Sequence, residues 1–362
     1  MDLLFLIGVA GLFLWTLLNH FFLPSLSPRP LDKHPFVSVL IPLRNEEGNV
    51  EALVDSLKRI TYTNIEFVLL DDQSEDDTHT LLQTLTKQDD RFRIVRGKGL
   101  KEGWNGKVYA CHQLSGYASG DSLLFLDADV RISPGAVEKF LALQRQKNAA
   151  FISGFPAFLN SCLLGHLLVP MQHFVISLHL PLFLANKTNI PMFTAAFGGC
   201  LFIDREAYDD IGGHTKVYNS LVEDVHLAKE MKKNGKRTIL ANVTSDISCR
   251  MYTTNRDVWS GFKKNIFPGL GRSLFLAAGV MLFYVTVFLF PFIAAVVAGG
   301  YWWYVCLLLI LLKMFVDIRT SHPWWVSFFI PFSIISMVAV LLASISVDRR
   351  KKQYEWKGRT YS

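Results

Sequence analysis

Long apolar runs at the two ends of the chain constrain its fold more than any other feature. Met1–Leu23 is apolar over about the length that crosses a membrane, and three further runs follow Arg272. These C-terminal runs are Ser273–Gly299, Tyr301–Val316 and Trp324–Ser346. We therefore expect a membrane anchor at residues 1–23, a linker at 24–35 and a membrane bundle at 273–346. A cleaved signal peptide is the alternative for the first run, but a basic start and a small-residue cleavage site are missing.

The distribution of basic residues predicts how the chain lies in the membrane. Arg29 and Lys33 follow the first run and nothing basic precedes it, which places the region after it in the cytosol. The basic tail at residues 347–362 is expected there too, whereas one N-terminal and three C-terminal crossings would put it outside. Either one apolar run is re-entrant or interfacial, or the first C-terminal run is broken near Pro291. We expect a multi-pass protein of the cell membrane.

The surplus of positive charge points to the bilayer as a partner. The formal net charge is +6 and the sequence pI is about 9.0. Much of the charge lies beside apolar segments, at Lys263, Lys264, Arg272 and Arg349–Lys352. Anionic lipid head groups explain this placement better than nucleic acid, so no nucleic-acid partner is expected. Five widely spaced cysteines predict a reducing compartment without structural zinc.

Between the apolar ends, short buried runs alternate with helical patterns. Phe36–Pro42, Glu66–Leu70 and Ser122–Leu126 are apolar almost throughout, as in strands that are buried on both faces of a parallel sheet. Helical spacing at Gly48–Ile60 and Asp77–Gln88 follows the first and second strands. This order predicts a doubly wound α/β domain whose ligand binds at the carboxyl ends of the strands.

The strongest chemical signal is the pair of carboxylates in Asp127-Ala128-Asp129, directly after the third strand. Two carboxylates one residue apart at a strand end can hold Mg²⁺ or Mn²⁺ against a diphosphate, because these cations favour oxygen ligands. The alternative is a turn and cap before a helix that begins near Pro134. Asp127 and Asp129 are the expected metal ligands, and a divalent cation is the expected cofactor.

Polar loops after the first two strands extend the same edge of the sheet. At the tip of the second strand, a carboxylate of Asp71 or Asp72 can accept the ring N–H of a uracil. The loop after the first strand offers a helix cap, contacts to base and ribose, or both. Its candidates are Pro42, Arg44, Asn45 and Glu46. Gly106 and Lys107 combine flexible backbone with a cation suited to phosphates, although the P-loop pattern is absent.

Candidate residues continue in the second half of the charged region. Gly199 lies in a glycine turn where the backbone can approach a ligand closely. Glu223 and Asp224 open a helix, where acids also act as simple caps, and Asp224 is the best candidate for a general base. Arg250 and Trp259 belong to a mixed aromatic and basic stretch. Residues 251–272 are expected to form an interfacial helix region or to close the diphosphate site.

Together these residues resemble the family 2 glycosyltransferases of GT-A fold. The shared features run in the family's order from Val37 to about Lys264. They are Ile41-Pro42 with Asn45-Glu46, Asp71-Asp72 with Ser74 and Asp77, Gly106-Lys107, Asp127-Ala128-Asp129 and Glu223-Asp224. The resemblance implies a cytosolic α/β domain at residues 36–250, Rossmann-like with a mostly parallel sheet, flanked by N-terminal and C-terminal transmembrane helices.

The resemblance also implies roles for the candidate residues. The first acidic loop holds uracil, the D-x-D motif holds the metal, and Asp224 is the catalytic base. The UDP-sugar donor is expected at Pro42, Arg44, Asn45, Glu46, Asp71, Asp72, Gly106, Lys107, Asp127, Ala128, Gly199, Glu223, Arg250 and Trp259.

The membrane arrangement and the C-terminal Glu355–Tyr361 look like the branch of carotenoid (diaponeurosporenoate), ceramide and hopanoid glycosyltransferases. The Q-x-x-R-W motif of processive polysaccharide synthases is absent, which favours a single transfer. The resemblance therefore implies inverting transfer of a sugar, glucose from UDP-glucose, to a lipid-soluble acceptor. A carotenoid acid or alcohol is expected, and diacylglycerol, ceramide, hopanoid or polyprenyl phosphate are alternatives.

Further alternatives concern the acceptor's chemistry and the class of protein. A carboxylate acceptor is already ionised near neutral pH and needs little help from a base, so an intact Glu223-Asp224 slightly favours a hydroxyl acceptor. A transporter is disfavoured, because the apolar segments hold few polar residues beyond Lys313 and Asp317. A sensor that binds nucleotide-sugars without turnover predicts metal-dependent UDP binding and no transfer.

Overall fold

The computed structural model describes residues 2–349, 354–356 and 359–361, so residues 350–353, 357–358 and 362 of the predicted basic tail lie outside the described residues. The strands are β1 (Val37–Leu43), β2 (Ile65–Asp71), β3 (Phe92–Arg96), β4 (Ser122–Leu126), β5 (Val130–Ile132), β6 (Phe151–Ser153), β7 (Ala157–Phe158), β8 (Cys200–Asp204), β9 (Thr238–Leu240), β10 (Ile247–Cys249), β11 (Tyr354–Trp356) and β12 (Arg359–Tyr361).

Helices surround the strands and form both ends of the chain. They are α1 (Asp2–His20), α2 (Glu47–Lys58), α3 (Thr78–Thr86), α4 (Gly106–Tyr117), α5 (Ala136–Lys147), α6 (Leu163–Leu168), α7 (Pro170–His179), α8 (Leu182–Lys187), α9 (Arg205–Asp210), α10 (Glu223–Lys233), α11 (Asn255–Gly269), α12 (Leu274–Tyr284), α13 (Phe290–Ala298), α14 (Trp302–Arg319) and α15 (Ile330–Arg349). Short 3₁₀ segments cover Gly213–Val217 and Trp324–Phe329, and a π-helical turn covers Val285–Leu289.

The central sheet has the strand order β3-β2-β1-β4-β8-β6-β9 in the described part of the chain. Strands β3, β2, β1 and β4 are mutually parallel, whereas β8 is antiparallel to both of its neighbours. The predicted α/β fold with a mostly parallel sheet is confirmed. Strand β3 was not predicted, because Phe92–Arg96 alternates with charged residues and is only half-buried. Helix α4 was not predicted either.

Both faces of the sheet are covered, as the continuous apolar runs predict. On one face, α2 buries Val50, Leu53, Val54 and Leu57, which recur at helical spacing. On the other face, α4 and α10 contribute Val108, Leu114 and Leu227 to a second buried cluster. Because β1, β2 and β4 are adjacent and parallel, the polar loops at their carboxyl ends lie together at one edge of the sheet.

Three helical segments are long and apolar enough to cross a membrane, judged by length and composition among the described residues. They are Leu3–His20, Leu274–Ala298 and Trp324–Asp348. The predicted run Tyr301–Val316 lies in α14, which carries three charged residues and is not among them. Its apolar side chains instead pack with α1 and α7 in the apolar bundle.

Helix α15 packs lengthwise along the charged helix α11. Just before α15 begins, the Trp325 ring lies 5.3 Å from the ring of His166 in α6. Helix α6 is in turn bound to the beginning of α11, because the Leu164 N–H donates to Asn255 Oδ1 at 2.8 Å. Near the end of α15, Ser344 Oγ accepts from the Phe267 N–H at 3.4 Å. The Asp348 carboxylate meets the Arg272 guanidinium at 3.0 Å, so the end of α15 is held against α11 and the segment that follows it.

A buried ion pair holds the turn between α14 and α15. The Lys313 ammonium lies 2.5 Å from Asp317 Oδ1, and both side chains are fully buried. Asp317 Oδ2 accepts from Ser327 Oγ at 2.8 Å, and the Asp317 carbonyl accepts from the His322 N–H. The pair therefore joins the end of α14 to the segment that leads into α15.

We expect Lys313→Met to destabilise the protein by about 3–5 kcal/mol, because it leaves a buried carboxylate without its cation. Lys313→Met combined with Asp317→Asn should recover most of this loss, since Asn can still accept from Ser327. Thermal unfolding of the full chain in detergent measures both. Equal stability of the single variant and the wild type would show that the pair does not stabilise the turn.

Candidate functional site

Hydrogen bonds join the loops after β1 and β2 into one rim of the site. The Asn45 N–H donates to Ser74 Oγ at 3.0 Å, and Asn45 Oδ1 accepts from the Glu75 N–H at 2.9 Å. The Glu46 N–H donates to Thr78 Oγ1 at 2.8 Å. Asn45 has φ of 52°, in the left-handed region that non-glycine residues seldom adopt. The rim holds a strained backbone in place, which is common at ligand sites.

Arg44 and the two aspartates of the second loop occupy different positions in this rim. The Arg44 guanidinium donates to the carbonyls of Asp72 and Gln73 at 2.7 and 2.8 Å. Asp71 is buried, accepts from the Ser74 N–H at 3.0 Å and lies 3.2 Å from His79. Of the two carboxylates, only Asp72 lines the cavity described below. Asp71 thus shapes the loop, and Asp72 faces the ligand space.

Lys107 lies at the centre of the charged cluster. Asn105 caps α4 by accepting from the Lys107 N–H at 3.1 Å, which places the lysine in the first turn of the helix. Its ammonium lies 2.8 Å from Asp127 Oδ1 and 3.2 Å from Glu223 Oε1. Burial opposes the charge, but Asp127 and Glu223 raise the pKa of Lys107 well above its ordinary value. One cation thus joins the D-x-D loop to the start of α10.

Two further carboxyl groups near Lys107, those of Asp129 and Asp224, lie where their ionised forms are disfavoured. Burial, followed by the nearby charges of Asp127 and Glu46, raises the pKa of Asp129 to about 7. Burial and the charge of Glu223 raise the pKa of Asp224 to about 7. The site therefore holds more carboxylates than its cation can balance, and a carboxyl group poised near neutral pH suits acid–base chemistry.

The glycine turn before β8 approaches the cluster through Gly198. A Cβ atom at Gly198 would lie 3.1 Å from both Lys107 Nζ and Glu223 Oε1, and 3.4 Å from Asp224 Oδ2. A Cβ atom at the predicted Gly199 would instead meet the Phe197 ring at 2.5 Å. Gly199 contributes its carbonyl, which accepts from the Asp127 N–H at 3.3 Å. The sequence could not tell these neighbours apart.

A cavity of about 510 Å³, here called the donor cavity, opens between the rim and the D-x-D loop. The predicted residues that line it are Pro42, Arg44, Glu46, Asp72, Lys107, Asp127, Ala128, Asp129 and Arg250. The predicted residues outside its lining are Asn45, Asp71, Gly106, Gly199, Glu223, Asp224 and Trp259. Glu223 and Asp224 lie just beyond it, on the far side of Lys107.

The start of α11 and the segment before it close one side of the donor cavity, but the predicted Trp259 does not line it. Trp259 packs against the apolar bundle. Tyr252 and Asp257 line the cavity in its place. Asp257 also forms a capping box with Thr254, whose hydroxyl donates to the Asp257 carboxylate at 2.7 Å. The T-x-x-D spacing signals this helix start in the sequence, but it carries no information about the cavity.

The donor set at Asp127 and Asp129 fits a divalent cation. Both carboxylates are half-buried, and burial together with the charges of Asp127 and Glu46 raises the pKa of Asp129 to about 7. Oxygen ligands in such a set favour Mg²⁺ or Mn²⁺, which are usually held by one or two carboxylates together with substrate phosphates. Among the described residues no group of three or more metal-binding side chains forms a complete site.

Comparison with known proteins identifies relatives of this chain. Residues 38–212 match the family model described as Glycosyl transferase family 2. The GalNAc(5)-diNAcBac-PP-undecaprenol beta-1,3-glucosyltransferase of Campylobacter jejuni is 32% identical over 108 residues, covering 30% of this chain and 34% of that protein. The 4,4'-diaponeurosporenoate glycosyltransferase of Staphylococcus haemolyticus is 24% identical over 241 residues, covering 64% of this chain and 61% of that protein. The chain thus spans between a third and three fifths of these relatives.

A solved structure covers nearly the whole chain. The mannosyltransferase of Pyrobaculum calidifontis, solved with GDP-Man and Mn²⁺, aligns with 97% of this chain and 100% of its own. Its TM-score is 0.56 at 18% sequence identity. This similarity shows the shared fold.

We expect the metal-free protein to lose stability as pH rises from about 4 through about 7. Folding raises the pKa of Asp224, so its protonated form is favoured and ionisation opposes the folded state. Asp224→Asn should therefore match the wild type near pH 4 and unfold about 4 °C higher near pH 8, which corresponds to about 1–2 kcal/mol. Thermal unfolding with a chelator tests this. The exposed Asp55→Asn is the control, and a pH-independent difference between Asp224→Asn and wild type would contradict it.

Proposed function

We propose that this chain is a glycosyltransferase, because residues 38–212 match the model of family 2 glycosyl transferases, and that it makes a single inverting transfer from UDP-glucose to a membrane lipid. The observation that carries this proposal is the Lys107 ammonium between Asp127 and Glu223. Lys107 lines the donor cavity, and Asp224 lies near the same ammonium at the start of α10. The proposed donor site, the lysine and the proposed base are thus neighbours at the edge of the sheet.

The donor's nucleotide binds in the rim of the donor cavity. Asp72 accepts the ring N–H of the uracil, and Arg44 and Pro42 shape the wall beside it. The diphosphate reaches toward Asp127, Asp129 and Lys107. Arg250 and Tyr252, which line the cavity from the membrane side, close over it. This assigns the cavity of about 510 Å³ to the nucleotide part of the donor.

Asp224 is the base that takes the proton of the acceptor hydroxyl. The freed oxygen attacks the anomeric carbon opposite the diphosphate, the bond from that carbon to the phosphate oxygen breaks, and the configuration inverts. A pKa of about 7 suits a general base near neutral pH. The Val225 N–H donates to Asp224 Oδ1 at 2.7 Å. The other oxygen, Oδ2, lies on the side of the Gly198 turn.

The leaving nucleoside diphosphate gains negative charge, which Lys107 stabilises from its fixed position. A divalent cation at Asp127 and Asp129, Mg²⁺ or Mn²⁺, would supply further positive charge to the same phosphates. Gly198 keeps the space beside Lys107 and Asp224 open for the sugar, since a side chain there would contact both.

The acceptor is a lipid, because apolar helices adjoin the catalytic domain and the relatives are named for lipid-linked acceptors. One is named for a carotenoid acid and the other for an undecaprenol-linked saccharide. A carotenoid acid or alcohol is our candidate acceptor, with diacylglycerol, ceramide, hopanoid or polyprenyl phosphate as alternatives. The intact Glu223-Asp224 pair favours an acceptor that reacts through a hydroxyl group.

The catalytic domain faces the cytosol in our proposal, and α15 lies in the membrane plane. Helix α11 carries Arg256, Lys263 and Lys264 and lines both the donor cavity and a second cavity, so it follows the face of the catalytic domain. Since α15 packs along it, we place α15 along the membrane face, although its length and composition suit a crossing. Crossings by α1, by Leu274–Ala298 and by α14, whose apolar run Tyr301–Val316 carries Lys313 as its one charged residue, then return the chain to the cytosol. The basic tail at residues 347–362 therefore lies inside.

Asp224→Asn should lower kcat by a factor of about 10² to 10⁴ while UDP binding is retained, because only proton removal is lost. Asp129→Ala should weaken Mn²⁺-dependent UDP binding as well as transfer. The assay follows labelled UDP-glucose, Mn²⁺ and a lipid extract with detergent-solubilised protein, with Asp55→Asn as the matched control. Equal kcat of Asp224→Asn and wild type would remove the base assignment, and absence of labelled lipid with the wild type would refute the proposed transfer.

The membrane arrangement can be tested by labelling in a Cys162→Ser background. Leu3→Cys should react with an impermeant maleimide in right-side-out vesicles, because α1 begins outside. Ser346→Cys, which is exposed at the end of α15, should react only in inside-out vesicles. Reaction of Ser346→Cys in right-side-out vesicles would show that α15 crosses the membrane.

A further inference from the structure

A second, larger cavity of about 910 Å³ lies between the catalytic domain and the apolar helices. Three segments line it: the loop at residues 100–105, the turn and first helical turns at 216–233, and the junction of α11 with α12 at 268–272. We call it the basic cavity. Its size is within the range of sites that enclose a small ligand or a lipid head group.

The basic cavity is strongly cationic. Its lining has five permanent cations against two carboxylates, Glu102 and Glu230, a net charge of +3. The cations are Lys101, Lys216, Lys229, Lys233 and Arg272. Burial and the charges of Lys229 and Lys233 lower the pKa of His226, which lies on the same wall. The lining therefore repels cations and attracts an anionic group.

Ion pairs neutralise only part of this lining. Lys233 pairs with Glu230 at 2.6 Å, and Arg272 pairs with Asp348 at 3.0 Å. Within the described residues, Lys216 and Lys229 form no ion pair. Lys216 lies before α10 and Lys229 lies within it, in the same lining segment. Together with Lys101, whose ammonium lies 6.0 Å from the Trp104 ring, they are the lining cations outside these two ion pairs.

The lining of the basic cavity includes the segment that leads into the apolar helix α12 and residues that are close in sequence to the proposed catalytic residues. At one end Pro268–Arg272 leads directly into α12, whose Leu274 and Phe275 side chains are 45% and 91% exposed. At the other end Asn105 and Val222 precede Lys107 and the Glu223-Asp224 pair. A lipid with its chains beside α12 can therefore bring its head group past the lysines to Asp224.

We propose that the basic cavity binds the head group of the acceptor, and that this acceptor is an anionic lipid carrying a phosphate group in addition to the hydroxyl that receives the sugar. The proposal rests on the proposed transfer to a membrane lipid, and it selects a phosphate-bearing acceptor over the carotenoid candidate, which carries no phosphate. Lys216 and Lys229 hold the phosphate, and the reacting hydroxyl extends toward Asp224. A neutral head group would leave the positive charge of this lining without a counter-charge.

A binding experiment tests the cavity without any transfer. The full chain in phosphatidylcholine nanodiscs is titrated with radiolabelled dodecyl phosphate, with unlabelled dodecyl maltoside and inorganic phosphate as competitors. Lys216→Gln with Lys229→Gln should weaken dodecyl phosphate binding roughly fivefold to tenfold. The matched control, Lys58→Gln with Lys87→Gln, removes two exposed lysines outside the cavity and should leave binding unchanged.

Three results would overturn the proposal. The first is equal binding by the cavity double variant and wild type. The second is effective competition by dodecyl maltoside, which would indicate a neutral head group. The third is competition by inorganic phosphate as strong as that by unlabelled dodecyl phosphate, which would indicate a site for a free anion.

A transfer experiment then tests the substrate class. A membrane lipid extract is separated into anionic and neutral fractions by anion exchange, and each is incubated with labelled UDP-glucose and Mn²⁺. Labelled product should come from the anionic fraction, with a raised KM and little change in kcat for the cavity double variant. Product from the neutral fraction alone would overturn the anionic acceptor while the proposed transfer stands. Loss of UDP binding by wild type would instead contradict the proposed function.

Discussion

The site depends on one ion-pair cluster, in which the Lys107 ammonium bridges Asp127 and Glu223. These three residues come from the start of α4, the loop after β4 and the start of α10, which are distant in sequence. The lysine fixes the positions of these elements because removing it would leave several carboxylates close together in a partly buried place. Even with the lysine present, Asp129 and Asp224 keep raised pKa values. The remaining negative charge is what prepares the site for a cation and for proton transfer.

Helix α11 links the two halves of the chemistry. Asp257, in its first turn, lines the donor cavity, and Pro268, in its last turn, lines the basic cavity. The same helix packs along α15, so the apolar part of the chain is attached directly to the walls of both cavities. In the proposed function, a polar donor and a lipid acceptor come from different phases, and α11 is the helix along which they would meet at Lys107 and Asp224. That proposal gives a reason for the apolar helices and the α/β domain to occur in one chain.

The sequence located the elements that have a strong local signal. The strands at 36–42, 66–70 and 122–126 were predicted almost to the residue, because strands buried on both faces must be apolar throughout. Strand β3 was missed because its exposed residues interrupt that pattern. Loops at strand ends must converge in a parallel sheet, so the grouping of Arg44, Asp72 and Asp127 followed from their spacing alone.

What the sequence by itself determined is the α/β domain, its apolar flanks and the residue types at the carboxyl ends of the strands, since these follow from periodicity and hydropathy. Only the tertiary structure decided that Gly198 rather than Gly199 faces the charged cluster, that Trp259 packs into the apolar bundle, and that Asp71 shapes a loop while Asp72 faces the cavity. Such neighbours are equivalent in composition, and their roles depend on which way each side chain points. The basic cavity arises likewise from lysines on segments more than a hundred residues apart, which no local pattern brings together.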